Sequence, residues 1–126
     1  MKFNRWSVIG APVALLLIGS QPAVPQASMV SASPPVNGTV SAPREVSITF
    51  SEPIIASHDS IMVRDAKGAR VNRTDIWLDG NGRIVNTSLQ PLEAGTYRVD
   101  WHVQSRDPHV KGSFHDVRGS FTFQVR

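Results

Sequence analysis

Cysteine is absent from the 126 residues. That excludes disulfide reinforcement, thiolate zinc sites, iron–sulfur clusters, copper centres with a Cys ligand and Cys nucleophiles. No Gly-x-Ser-x-Gly elbow and no Gly-rich phosphate loop ahead of a helix are present, so hydrolytic and nucleotide chemistry have no support. Long apolar runs are also scarce. The one candidate, Trp6 through Ile18, is shorter than the about 20 residues a bilayer-spanning helix needs. Lys2 and Arg5 precede it, and Gly19-Ser-Gln-Pro-Ala-Val-Pro-Gln-Ala27 follows. Charge, short apolar core and small residues, in that order, form a secretory leader. The expected division is therefore a signal peptide at 1–27 and one domain at 28–126, exported across the cytoplasmic membrane and not embedded in it once the leader is removed; the alternative is an uncleaved N-terminal anchor. Lys2 and Arg5 leave with the leader, so the formal charge of +3 falls to +1. No basic patch with interleaved aromatics remains, which argues against nucleic acid as a partner.

What is present is short two-residue periodicity. Val46, Ile48 and Phe50 alternate with Ser47 and Thr49; Ile61 and Val63 repeat the pattern. Val71–Leu78 reads as a strand closed by the turn Asp79-Gly-Asn-Gly82, and Arg83–Leu89 as the next. The clearest strand sets Tyr97, Val99, Trp101 and Val103 against Arg98, Asp100, His102 and Gln104. Phe121, Phe123 and Val125 alternate at the end, and a short strand near Met29–Ser31 completes seven. Seven short strands with regular turn signals and no helical periodicity predict an all-β, seven-stranded Greek-key β-sandwich of immunoglobulin-like or cupredoxin-like type. Trp77, Trp101, Tyr97 and the C-terminal phenylalanines are expected to fill its core.

Of the four histidines, His102 lies on the polar face of its strand and His58 has no spacing partner. His109 follows Asp107 in Ser105-Arg-Asp-Pro-His109, just after the strongest strand. An Asp-x-His on a loop leaving a rigid sheet can present a carboxylate oxygen and an imidazole nitrogen to one metal, and such mixed ligation suits Cu(II) or Zn(II) better than Mg or Ca. Glu52, Asp59 and Asp75 read as solvated surface or turn residues.

The blocks Ser33-Pro-Pro-Val-Asn-Gly38, Phe50-Ser-Glu-Pro53, Gly95-Thr-Tyr-Arg-Val-Asp-Trp101, Ser105-x-Asp-x-His109 and Gly119-Ser-Phe-Thr-Phe-Gln-Val125 occur in this order. Together they resemble the CopC family of periplasmic copper-binding proteins over nearly all of residues 28–126. The resemblance implies a seven-stranded Greek-key sandwich that binds copper, without turnover, in copper tolerance or in delivery to an inner-membrane copper transport protein. It also implies a Cu(II) site in which Asp107 and His109 join the amine and imidazole of a leading His. That His position falls on Ala27, and no His precedes His58. The family's Met-rich Cu(I) loop is likewise absent, with only Met29 and Met62 beyond the leader.

One departure suggests a replacement. His109-Val-Lys-Gly-Ser-Phe114 is nearly repeated as His115-Asp-Val-Arg-Gly-Ser-Phe121, as if a duplication had lengthened the loop and brought His115 and Asp116 close to the site. The expected ligands are then Asp107, His109 and His115, with His115 either standing in for the missing imidazole or remaining a solvent-exposed loop residue. Two other readings stay open. A sandwich without tight copper binding could serve as a protein-interaction module, and a copper oxidase with an N-terminal His brace is opposed by the absence of that His.

Overall fold

The computed structural model describes residues 27–126. The leader expected at 1–27 therefore lies, apart from Ala27, outside the described residues. Among the described residues nine strands are present: β1 (Met29–Ser33), β2 (Thr39–Val40), β3 (Glu45–Phe50), β4 (Ile54–Ile55), β5 (Ile61–Arg64), β6 (Trp77–Asp79), β7 (Ile84–Ser88), β8 (Gly95–Arg106) and β9 (Phe114–Val125). They form two sheets. One runs β1-β3-β7-β6; the other runs β2-β9-β8-β4, with β5 also paired to β8. The sandwich holds, and the two strands beyond the expected seven are the two-residue pieces β2 and β4.

The core follows from the alternation. Val46, Ile48 and Phe50 of β3 are buried against Val99, Trp101 and Val103 of β8 and Phe121, Phe123 and Val125 of β9. Phe50 meets Trp101 edge-on at 5.1 Å, and Tyr97 stacks on Phe123 at 5.5 Å. The Tyr97 hydroxyl donates to the Glu93 carbonyl at 2.6 Å, pinning the turn that enters β8. Asn81, at a φ of 60°, sits between Gly80 and Gly82, also at positive φ, so the expected Asp79–Gly82 turn forms where left-handed backbone costs least.

Three expectations change. The run Val71–Leu78 is not one strand. Only Trp77–Asp79 pairs as one, because Asn72 replaces ladder bonds with its side chain: Oδ1 accepts from Val63 N–H at 2.9 Å and Nδ2 donates to the Ile61 carbonyl at 3.0 Å. Trp77 is not core. It lies on the edge strand β6, whose three residues are all exposed. The repeated segment does not lengthen a loop either. His115–Phe121 lies wholly within β9, so the repeat extends the β8–β9 hairpin and leaves a turn only between Arg106 and Phe114.

The described part of that hairpin is long and unbroken. Pairing runs from Gly95↔Val125 to Arg106↔Phe114 without a shift, setting Trp101 opposite Gly119. A Cβ on Gly119 would stand 2.5 Å from Trp101 Cζ2, so the indole lies directly over this glycine. Gly119→Ala must push Trp101 off Phe50 and should cost about 1–3 kcal/mol, as overpacking does; urea unfolding followed by Trp fluorescence measures it. Asp75 supplies a pH test. Hydrogen bonds from Ser88, first from its side chain and then from its backbone, hold the Asp75 carboxyl below its ordinary 3.8. A lowered folded value contributes stability that is present above 3.8 and lost as pH falls through that lower value. Asp75→Asn should therefore flatten the acid limb of the stability profile below pH 3.8 and leave its slope at neutral pH unchanged.

Candidate metal centre

The candidate site forms where β8 and β9 leave the sandwich. Odd-numbered residues of β8 face inward, so Ser105 is buried and Asp107, one step past the strand, continues on the same side. In β9 the odd residues also face inward, and His115 stands directly opposite Ser105. His115 is thus a strand residue at the rim of the core. Its Nε2 lies 3.0 Å from Asp107 Oδ2, with the Asp107 side chain only 10% exposed and that of His115 29%.

The other Asp107 oxygen is used locally. Oδ1 accepts the backbone N–H of His109 at 2.8 Å, closing the tight turn at Asp107-Pro108-His109. That backbone bond holds the Asp107 carboxyl below its ordinary value; desolvation pushes the other way, and the hydrogen bond and charge of His115 add to the lowering. The carboxylate is therefore ionised and aimed at one imidazole.

The expected ligands are thus placed unequally. Asp107 and His115 are brought together, while the His109 imidazole is exposed and His109 meets Asp107 through its backbone. Among the described residues no three His, Asp or Glu side chains converge at one point. Asp116, expected close to the site, is on the opposite face of the sheet. Strand alternation turns it outward, where its Oδ1 lies 3.2 Å from His102 Nε2 and 3.4 Å from Gln104 Nε2. His102, expected at the surface, is there, in a pair that only the β8–β9 register could have revealed.

Residue 27, the position at which the resemblance implies a ligand amine, lies at this end of the sandwich, and its contact with Ser105 is the part that the sequence did not reveal. The backbone nitrogen of Ala27 lies 3.1 Å from Ser105 Oγ, and Ala27 is buried at this end of the sandwich. Residue 27 thus reaches the cross-strand partner of His115. A cavity of about 590 Å³ opens beside the turn, lined by Glu52, Pro53, Ile54, Ile55, Ser105, Arg106 and Pro108. Its walls are largely apolar, and Arg106 and Pro108 in its lining flank Asp107 in the chain.

Comparison with known proteins gives this geometry a context. The family model described as the CopC domain matches residues 29–126. A copper resistance protein C from Xanthomonas campestris pv. juglandis is 31% identical over 117 residues, covering 86% of this chain and 87% of its own. The copper transport protein CutJ of Bacillus subtilis is 34% identical over 113 residues, covering 86% of this chain but only 20% of the relative, so the chain spans about one fifth of that protein. The crystal structure of CopC from Methylosinus trichosporium OB3b superposes with a TM-score of 0.58 at 23% identity, covering 79% of this chain and 92% of its own, which supports the fold.

The division of labour at Asp107 is testable without metal. Asp107→Ala should raise the hydrogen-exchange rate of the His109 amide by about tenfold, the loss expected of a net bond worth roughly 1 kcal/mol or more. His115→Ala should leave that amide protected, as NMR exchange on the two variants would show.

Proposed function

The chain belongs to the CopC family, and from that premise we propose that it is a periplasmic Cu(II) carrier or buffer without catalytic turnover, in which Asp107 and His115 hold the ion. The observation that carries this reading is the 3.0 Å separation of Asp107 Oδ2 and His115 Nε2. Two ligands in adjacent positions of a square-planar ion, each about 2.0 Å from it, stand about 2.8 Å apart. The pair is thus already spaced for one copper ion to take the place of the proton it shares. Carboxylate oxygen with imidazole nitrogen is also the mixed donor set that suits Cu(II), and thioether ligands that would select Cu(I) are not gathered there.

His109 remains in the proposed set. Its imidazole is exposed on the turn that Asp107 closes, where packing does not fix its rotamer. A fourth donor has a structural candidate in residue 27. Cleavage one residue before the expected boundary, between Gln26 and Ala27, would free the Ala27 amine next to Ser105, the cross-strand partner of His115. The backbone nitrogen there supports a site in which the amine survives and the imidazole is supplied by His115 instead of a leading His.

In this reading, copper is cargo. The largely apolar cavity beside the turn, lined by Ser105, Arg106 and Pro108 next to Asp107 in the chain, offers a surface for a second protein such as an inner-membrane transporter. An interaction module without copper affinity is the competing reading, and no observation favours it over the Asp107–His115 pair.

Calorimetric titration of Cu(II) into the chain separates the two. Binding at micromolar copper or tighter is expected, with Asp107→Ala and His115→Ala each weakening it by at least about tenfold and His109→Ala by less. An unchanged dissociation constant for His115→Ala would remove that residue from the site, and no binding by the unaltered chain would end the carrier reading.

A further inference from the structure

The extended hairpin leaves β9 with one partner for most of its length. Strand β2 covers it only at Gln124 and Val125, preceded by a bond from Asn37 N–H to the Thr122 carbonyl. Among the described residues nothing pairs with the other edge of β9 from Phe114 to Phe121. Which groups point there follows from the ladder. Thr122 O and Gln124 N bond outward toward the β2 segment, and His102, opposite Arg118, sends its N–H away from β9 to the Ser60 carbonyl. In an antiparallel ladder the direction alternates, so Phe114, Asp116, Arg118 and Ser120 all present backbone N–H and C=O to the open edge.

An open edge of this length is a template for another strand unless something protects it. Here the side chains on the edge residues do not repel a strand in general; they select one. We propose that the Phe114–Ser120 edge of β9 pairs antiparallel with the same edge of a second copy of this chain, about a two-fold axis at Val117. In that register Asp116 of each copy lies opposite Arg118 of the other, and Phe114 lies opposite Ser120. Arg118 makes no ion pair among the described residues and is available for it. Shifting the axis by one residue either way sets Asp116 against Asp116 or Arg118 against Arg118, and like charges directly opposite destabilise a pair. Charge thus fixes both the partner and the register.

The pairing joins two five-stranded sheets into one continuous sheet and covers the half-exposed inner residues His115, Val117 and Gly119. The two His115 side chains lie on the same side of it, about 14 Å apart along the strands at roughly 3.4 Å per residue. They share no metal ion, so association stands apart from the copper reading.

Sedimentation equilibrium of the full chain, with a chelator present and at concentrations from about 1 μM to about 1 mM, tests this. A monomer–dimer equilibrium is expected. Arg118→Glu and Asp116→Arg, both at exposed positions, should each weaken it by about tenfold or more, because two attractive cross-strand pairs become repulsive. Mixing the two single variants should restore association, since each then offers the charge the other lacks, a rescue that a folding defect would not give. A chain that stays monomeric to millimolar concentration, or a dimer indifferent to both variants, overturns the proposal.

Discussion

The unbroken pairing of β8 with β9 is the constraint on which the rest of the molecule depends. Twelve residues of each strand face one another in a single register. Every later feature is a consequence of which side a residue falls on within that ladder. Inward residues of the first part (Tyr97, Val99, Trp101, Phe121, Phe123 and Val125) close on β3 and make the core. Inward residues of the last part, Ser105 and His115, reach the rim and meet Asp107 there. With no disulfide, the position of the rim residues rests on this ladder and on the packing beneath it.

The same register produces two His–Asp pairs with different prospects. Asp107–His115 lies at the mouth of the sandwich with side chains 10% and 29% exposed, whereas His102–Asp116 lies on the outer face with 46% and 56%. Equal chemistry in unequal surroundings has unequal strength. Charges at the partly dry mouth interact through a lower effective dielectric than charges facing water, and they are screened less by salt. The mouth pair also has Asp107 fixed by a backbone donor, so its free oxygen has a defined direction. The outer pair is held by side chains alone.

Much of this was legible in the sequence, and the reasons for the exceptions are physical. Alternation in β3, β8 and β9 is written directly in Val46–Phe50, Tyr97–Gln104 and Phe121–Val125, because a sheet buried on one face must alternate. Trp77 misled because an aromatic in an alternating run resembles a core residue, while its exposure follows from β6 being the edge of its sheet, and order within a sheet leaves no local trace. Asn72 misled for a related reason. Its amide substitutes for backbone ladder bonds, and only the fold supplies the carbonyl and amide it reaches. Asp107 and the importance of the repeat were visible, but Asp116 could be assigned to a face only once Trp101 was set opposite Gly119.

That last contact explains why the second copy of the repeat, and not the first, carries the strand imidazole. The indole of Trp101 leaves no room for a Cβ opposite it, so the residue facing it must be glycine. A histidine four residues before that glycine is an even number of steps away and falls on the same inward face. His115 and Gly119 have this spacing. His109 and Gly112 are three apart, so they would fall on opposite faces of a strand, and Gly112 instead sits at a φ of 79° in the turn. The first copy is therefore committed to the turn, where His109 contributes its backbone N–H to Asp107. The second copy is locked in register by glycine under tryptophan, and the lock delivers an imidazole to the rim at the level of Ser105. The spacing from histidine to glycine is thus a packing requirement first, and the Asp107–His115 geometry inherits it.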